Sequence, residues 1–123
     1  MLLVDDQALH RQLIERQLQR GGYRVIATAS GRDALAILTE QATSIDLLLT
    51  DIMMPRMIGP QPVAIVQIRW PAVRALCMTG GAEEWALQLM RDAKLQCLEK
   101  PFTEVQLRDA LAAALSNPDV TEN

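Results

Sequence analysis

The sequence predicts an α/β domain in which five parallel strands form one doubly wound sheet, in the order 2-1-3-4-5, with helices on both faces. Short β-type runs alternate five times with amphipathic segments, as expected for successive right-handed βαβ crossovers. Leucine, valine and isoleucine dominate the first, third and fourth runs, which is typical of parallel strands buried on both faces. Half of the 123 residues are hydrophobic, enough for a single core.

The predicted strands are short apolar segments, and in chain order they read MLLVDD, YRVIATA, IDLLLTD, VRALCMT and LQCLEKP. The predicted helices have apolar residues near a 3.6-residue period. They are QALHRQLIERQLQRGG, the segment after Ser30, PQPVAIVQIRW, EEWALQLMRDA and TEVQLRDALAAALS. Ser30 is predicted to cap the second helix, and Thr103 with Gln106 fits a capping box at the last one. We therefore expect one domain over residues 1–116, followed by a tail or linker over residues 117–123.

The first helix has a predicted apolar face that comprises Ala8, Leu9, Leu13, Ile14 and Leu18. On this interpretation His10, the only histidine, is a surface residue rather than a ligand.

Composition and charge exclude several classes of function. The net charge is −3, and lysine and arginine are scattered, so no basic face for nucleic acid is expected. No apolar stretch approaches the roughly 20 residues of a membrane span, and the opening residues are too short and acidic for a signal peptide. Cys77 and Cys97 lie in apolar segments without metal-ligand spacing, so we expect small, reduced hydrophobic residues of a cytoplasmic protein rather than a disulfide.

Acidic residues follow two strands that are neighbours in the predicted sheet. Asp5 and Asp6 end the first strand, and Asp51 ends the third. Ligands of this fold class bind where the first and third strands diverge, outside their carboxyl ends. Three converging carboxylates repel one another unless a cation lies among them, and Mg²⁺ suits such oxygen ligands. Taken singly, each aspartate is better explained as a helix cap or a solvated strand end, and it is their placement together that favours a cation site.

Two further residues are expected at the same edge. Thr79 ends the fourth strand before Gly80 and Gly81, and Lys100 ends the fifth strand before Pro101. A hydroxyl, an ammonium group and a divalent cation around one carboxylate can stabilise a phosphoryl group during its transfer to a nucleophile.

The segments LLVDD, TDIMMPRMIG, MTGG and EKPF resemble the signature segments of receiver domains of two-component response regulators, in order and spacing over nearly the whole chain. The resemblance implies a flavodoxin-like fold. It also implies that Asp51 is the phosphoacceptor, which receives a phosphoryl group from a histidine kinase or histidine phosphotransfer protein. Thr79 would hydrogen-bond the phosphoryl group, and Lys100 would pair with Asp51 at rest.

The same resemblance implies that Asp5, Asp6, Asp51 and the backbone carbonyl of Met53 hold Mg²⁺. Output would pass through a face formed by the fourth helix, the fifth strand and the fifth helix, which is also a possible homodimer surface. Such a module is not an enzyme, apart from weak autophosphorylation and autodephosphorylation chemistry. The segment after the third strand resembles receivers of hybrid sensor histidine kinases, so the chain is either a stand-alone receiver or a piece of a larger kinase.

Three departures from the family pattern are visible. Cys97 stands where the family usually has an aromatic switch residue, and Ile58 stands where aspartate is common. Met53 and Gly81 cannot activate a water molecule, so we predict slow self-dephosphorylation. Trp85 belongs either to a partner-binding face or to a helix-packing contact.

Three alternative functions fit the sequence less well. A Mg²⁺-dependent hydrolase of similar fold would use Asp51 as its nucleophile but would need an acid where Met53 stands. A flavodoxin-type cofactor protein needs a phosphate-binding loop where this chain has Asp5 and Asp6. A degenerate scaffold is disfavoured because all the expected site residues are present.

Overall fold

A five-stranded parallel sheet forms the centre of the protein. The computed structural model describes residues 1–51, 53–54, 57–58, 61–80, 88 and 96–116, with the backbone alone for 53–54, 57–58 and 61–64. The strands are β1 (Leu2–Val4), β2 (Ile26–Thr28), β3 (Leu47–Asp51), β4 (Arg74–Thr79) and β5 (Gln96–Glu99). They lie in the order β2-β1-β3-β4-β5, and every neighbouring pair is parallel. The predicted fold class and strand order are therefore confirmed.

The register of the sheet brings the carboxyl ends of its central strands to one edge. Val4 of β1 lies opposite Thr50 of β3, so Asp5 follows β1 at the level where Asp51 ends β3. On the other side of β3, Asp51 lies opposite Met78 of β4. Side chains from strands far apart in the sequence are thereby placed next to one another, as the crossover topology requires.

The described helices are α1 (Ala8–Arg20), α2 (Gly31–Gln41), α3 (Gln61–Arg69) and a C-terminal helix (Glu104–Ser116), with a 3-10 turn at Ala42–Ser44. Two predicted caps are confirmed. The hydroxyl of Ser30 accepts from the backbone N–H of Asp33 at 3.1 Å. Thr103 and Gln106 form the reciprocal capping box, with distances of 2.8 and 3.1 Å.

Part of the predicted architecture lies outside the described residues. Of the predicted fourth helix only Gln88 is described, in helical conformation, and the interpretation of Trp85 lies outside the described part of the chain. The same holds for Gly81 and for the predicted tail over residues 117–123.

A feature that the sequence did not predict is a short antiparallel ribbon between Met53–Met54 and Met57–Ile58, which follows β3.

The hydrophobic core has two layers, one on each face of the sheet. Alternate residues of the strands point to opposite faces, so Leu48 and Leu49 belong to different layers. Residues of α2 and α3 join the layer that contains Leu2, Val4, Leu48 and Cys77. Residues of α1 and the C-terminal helix join the layer that contains Leu3, Leu47, Leu49, Leu76 and Met78. Helices therefore cover both faces, which explains why the strands are almost wholly apolar.

The predicted apolar face of α1 is partly wrong. Ile14 and Leu18 are buried, but Leu9 is 82% exposed and Leu13 is 51% exposed. The helix is rotated so that the line through residues 10, 14 and 18 faces the protein, because these positions are four residues apart and share one side. His10 is therefore half-buried rather than a surface residue, and that expectation is also wrong.

The two cysteines differ in their environment. Cys77 is completely buried in β4, whereas Cys97 is exposed on β5. β5 is an edge strand of the described sheet, and its residues alternate between half-buried and exposed. Both side chains are thiols rather than disulfide partners. Among the described residues, no helix is both long enough and apolar enough to cross a membrane.

Candidate functional site

Three carboxylates meet at the carboxyl edge of the sheet. Asp5 is fully buried after β1, Asp51 is 6% exposed at the end of β3, and Asp6 is accessible to solvent. One oxygen atom from each carboxylate lies within 4.8 Å of the oxygen atoms of the other two. So close a group of anionic oxygens is the donor set that a hard divalent cation prefers, and Mg²⁺ is typically held by one or two carboxylates together with water. The residues present therefore fit the cation that the sequence predicts.

Asp5 is held in place through all of its polar groups. Its backbone N–H donates to the carbonyl of Thr28 at 3.1 Å, and its own carbonyl accepts from the guanidinium of Arg11 at 2.8 Å. The backbone N–H of Gln7 donates to Oδ1 at 2.9 Å, and Nδ1 of His10 contacts Oδ2. A buried carboxylate requires such partners, because an unpaired buried charge is strongly unfavourable. The turn between β1 and α1 therefore fixes Asp5 in one orientation.

His10 is the site residue that sequence reasoning missed. Besides its contact with Asp5, its ring lies against the ring of Phe102 in an edge-to-face arrangement, with centroids 6.2 Å apart and planes inclined by 66°. The sequence carries only a weak signal for it. His10 precedes Ile14 and Leu18 at intervals of four residues, but the equally apolar Leu9 and Leu13 indicate a different face of the helix. The four-residue spacing places the ring of His10 on the buried side of α1.

Lys100 brings a positive charge to Asp51. Its Nζ lies 2.6 Å from Oδ2 of Asp51, and the two side chains are only 18% and 7% exposed. The backbone N–H of Lys100 donates to the carbonyl of Thr79 at 2.6 Å, which continues the pairing of β4 with β5 beyond Glu99. The Lys100–Pro101 peptide bond is cis. The loop after β5 thus presents the ammonium group to the carboxylate at the end of β3.

The remaining predicted site residues are placed as follows. Thr79 is the last residue of β4 and is 4% exposed, at the same edge as Asp51. Gly80 lies so close to Lys100 that a Cβ atom there would be 3.1 Å from Cδ of the lysine. Only the backbone of Met53 is described, in the ribbon after β3. Its carbonyl group comes two residues after Asp51 in the sequence.

The site as a whole can support phosphoryl transfer. It combines a carboxylate nucleophile at Asp51, an ammonium group 2.6 Å from it, a buried hydroxyl residue on the adjacent strand and two further carboxylates for a cation. Positioning and charge neutralisation, rather than covalent chemistry by other residues, are the main requirements of this reaction. The geometry supplies both.

Comparison with known proteins defines the class. Residues 1–112 match the response regulator receiver domain family. The match covers more than half of the chain, so the chain belongs to this family. Receiver domains are signal-receiving phosphoacceptor modules of two-component systems, which interact with histidine kinases or phosphotransfer proteins.

Individual relatives place the chain within that family. It is 35% identical over 120 residues to sensor kinase CckA of Brucella abortus, with 97% of this chain and 13% of the relative covered. It is 34% identical over 113 residues to response regulator protein FleR of Pseudomonas aeruginosa, with 91% of this chain and 24% of the relative covered. The chain therefore spans about an eighth to a quarter of these two relatives.

Solved structures agree with the fold. A response regulator receiver domain protein from Clostridium thermocellum superposes with a TM-score of 0.88 at 26% identity, over 98% of this chain and 97% of that one. Chemotaxis protein CheY4 of Vibrio cholerae superposes with a TM-score of 0.82 at 30% identity, over 93% of this chain and 96% of that one.

Proposed function

We propose that Asp51 is the phosphoacceptor, and that its donor is a phosphohistidine on a histidine kinase or histidine phosphotransfer protein. A carboxylate oxygen of Asp51 would attack the phosphorus atom, forming an oxygen–phosphorus bond as the phosphorus–nitrogen bond breaks, and imidazole would leave with the bonding electron pair. The observation that supports this assignment most strongly is the position of Asp51. It ends β3 between the ammonium group of Lys100 and the carboxylates of Asp5 and Asp6.

The cation of this site is proposed to be Mg²⁺, held by Asp5, Asp6 and Asp51 with the backbone carbonyl of Met53. When bound, it would neutralise negative charge on the phosphoryl oxygens. The carboxylates of Asp5 and Asp51 are buried and that of Asp6 is accessible. Cation binding would therefore relieve repulsion among charges that the fold brings together.

Lys100 and Thr79 are proposed to report the phosphorylation state. Lys100 pairs with Asp51 at rest and would pair with the phosphoryl group afterwards. Thr79 would donate its hydroxyl hydrogen to a phosphoryl oxygen. Because the backbones of Thr79 and Lys100 are hydrogen-bonded to each other, a shift of either residue would move both loops and favour one arrangement of them.

The output surface is proposed to be the face formed by the predicted fourth helix, β5 and the C-terminal helix, which is also the proposed homodimer surface. A groove next to Lys100 supports this choice, lined by Leu98, Glu99, Lys100, Pro101, Gln106 and Asp109.

Sedimentation velocity with and without acetyl phosphate tests dimerisation: a phosphorylation-dependent increase in mass supports it, and an unchanged monomer contradicts it.

The wider setting is also part of the proposal. We infer a receiver unit over residues 1–116, followed by a tail or linker over residues 117–123, either alone or within a hybrid sensor histidine kinase. The two thiols, neither in a disulfide, support a reducing cytoplasmic compartment. The inferred partners are proteins of the phosphorelay rather than nucleic acid.

Incubation with acetyl phosphate followed by intact-mass measurement tests the phosphoacceptor. In Mg²⁺ buffer the wild type should gain one phosphoryl group, while Asp51→Asn should gain none. A matched control is Asp46→Asn, since Asp46 is an exposed aspartate that precedes β3 at its opposite end. This variant should be labelled like the wild type. Labelling of Asp51→Asn, or equal labelling of the wild type after chelation of Mg²⁺, would contradict the proposal.

A further inference from the structure

We infer that His10 is a positioning residue for the divalent cation, because it holds the carboxylate of Asp5 in its cation-binding orientation. The inference rests on the proposed function, since it concerns the cation of the same site. The other residues of the site lie at the ends of β1, β3 and β4 and in the loops after β3 and β5, so His10 adds a residue of α1 to them.

The hydrogen bond between His10 and Asp5 has a defined direction. An ionised carboxylate can only accept hydrogen bonds, so Nδ1 of His10 must be the donor to Oδ2. The backbone N–H of Gln7 donates to the other oxygen, Oδ1, at 2.9 Å. A carboxylate offers about four lone-pair sites, so two donors leave it able to bind a cation. With a donor on each oxygen, rotation of the carboxylate would break a hydrogen bond.

His10 is itself held from two sides. Its position on α1 follows from the burial of Ile14 and Leu18, which lie on the same side of the helix. Its ring is 25% exposed and packs edge-to-face on Phe102, two residues after Lys100. The imidazole is thus fixed between the cation site and the loop that carries the ammonium group of Lys100. This arrangement connects the orientation of Asp5 with the position of that loop.

Preorganisation is the physical effect of such a contact. A carboxylate that is already oriented loses less conformational freedom when the cation binds. Residues that orient metal ligands typically change metal affinity by about 10- to 100-fold when removed. The backbone N–H of Gln7 would still hold Oδ1 without His10, so we expect an effect near the lower end of that range.

Cation binding at fixed pH, measured by calorimetry with Mg²⁺ and by water-proton relaxation with Mn²⁺, tests the inference. His10→Leu removes the donor and should weaken the binding of both Mg²⁺ and Mn²⁺ roughly tenfold. His10→Asn keeps an N–H group near the position of Nδ1, so its cation affinity should remain close to that of the wild type. The control is Gln12→Leu, an exposed position on the same helix, which should bind as the wild type does.

A second pair of variants tests the connection through Phe102. Phe102→Leu leaves the hydrogen bond but removes the edge-to-face contact, and should weaken Mg²⁺ binding measurably but less than His10→Leu does. The double variant with His10→Leu should bind no more weakly than His10→Leu alone, because both changes act through one contact. Urea unfolding of each variant without cation shows whether a loss of affinity follows a loss of stability. If His10→Leu does not fold, His10→Ala takes its place.

The outcomes separate this inference from the proposed function. Unchanged or tighter cation binding by His10→Leu overturns the inference. It is also overturned if His10→Asn binds the cations as weakly as His10→Leu does. The proposed cation site would still stand after these results if the wild type binds Mg²⁺ and Asp6→Asn binds it more weakly. If the wild type binds no Mg²⁺, both the cation site and the role of His10 are overturned.

Discussion

Lys100 and Asp51 form a close ion pair, with Nζ of the lysine 2.6 Å from Oδ2 of the aspartate and both side chains largely buried. The pair joins the end of β3 to the loop after β5, across the intervening strand β4. It also places a positive charge directly beside the residue that is proposed to be phosphorylated. The resting protein is therefore held by an interaction that phosphorylation of Asp51 must rearrange.

Lys100→Met should destabilise the protein in the absence of a divalent cation. Loss of the ammonium group leaves the buried Asp51 carboxylate next to Asp5 and Asp6 without the Lys100 charge. We expect the free energy of unfolding to fall by about 3 kcal/mol, the lower end of the range for breaking a buried ion pair, because Lys100 is 18% exposed. Millimolar Mg²⁺ should restore part of the loss, since a cation that binds only the folded state stabilises it. Urea unfolding followed by circular dichroism measures both effects.

Arg108→Met is the matched control for that variant. Arg108 pairs with Glu104 on the surface, with 48% and 26% of the side chains exposed. Such a pair should contribute no more than about 0.5 kcal/mol. If both variants lose the same small amount of stability, the Lys100–Asp51 pair has no special role at rest.

Gly80→Ala should slow phosphorylation of Asp51. A Cβ atom at this position would lie 3.1 Å from Cδ and 3.3 Å from Cβ of Lys100, so the lysine side chain would have to move by a few tenths of an ångström. Because transfer depends on the placement of charges, we expect the rate of labelling by acetyl phosphate to fall about tenfold. Gly21→Ala is the control, since its nearest contacts are 3.4 Å away at the far end of α1. Equal rates for Gly80→Ala and the wild type would contradict the prediction.

Much of the fold could be predicted because its signals are local. Unbroken apolar strands between amphipathic segments indicate a parallel sheet, and the caps at Ser30 and Thr103 depend only on nearby residues. The rotation of α1 could not be predicted in the same way. Leu9 and Leu13 are as apolar as Ile14 and Leu18, and only packing against the sheet and the C-terminal helix decides which pair is buried.

The site could be predicted in outline for a topological reason. Carboxyl ends of parallel strands meet at one edge, so Asp5, Asp51 and Thr79 had to lie near one another once the strand order was known. His10 could not be found in this way, because it approaches from a helix whose orientation was unknown. The exposure of Cys97 could not be predicted from nearby residues, because these are apolar, whereas its strand lies at the edge of the described sheet.

The two thiols should differ sharply in reactivity. A hydrogen bond with Cys97, and then burial, raise the pKa of the Cys77 thiol. Cys97 is exposed. In mildly alkaline buffer a chromogenic disulfide reagent should modify one thiol per folded chain rapidly and the second only on unfolding, and Cys97→Ser should abolish the fast phase. Two thiols that react at one rate in the folded protein would contradict this expectation.

The raised pKa of Cys77 also predicts a dependence of stability on pH. Below the ordinary thiol pKa of about 8.5, both the folded and the unfolded chain keep this proton. Above it the unfolded chain loses the proton while the folded chain retains it, so the free energy of unfolding should fall as the pH rises. Urea unfolding at increasing pH measures the slope, which should be smaller in Cys77→Val than in the wild type. Identical slopes would contradict the prediction.

Phosphorylated Asp51 should hydrolyse slowly. Neither Met53 nor Gly81 has a side chain that can accept a proton from a water molecule or orient it for attack. In Mg²⁺ buffer the phosphoryl group should persist for minutes or longer after removal of acetyl phosphate. Met53→Glu should shorten this lifetime, whereas Gln12→Glu, which adds the same charge on the exposed side of α1, should not. Decay of the wild type within seconds would contradict the prediction.

The chemical identity of the phosphorylated residue tests the central claim most directly. Borohydride reduces an aspartyl phosphate to homoserine, so peptide mapping after phosphorylation in Mg²⁺ buffer and reduction locates the modified residue. We predict homoserine at residue 51 and at no other aspartate, including Asp5, Asp6 and Asp46. Homoserine at another of these positions, or none in a chain that has gained a phosphoryl group, would contradict the assignment of Asp51 as the phosphoacceptor.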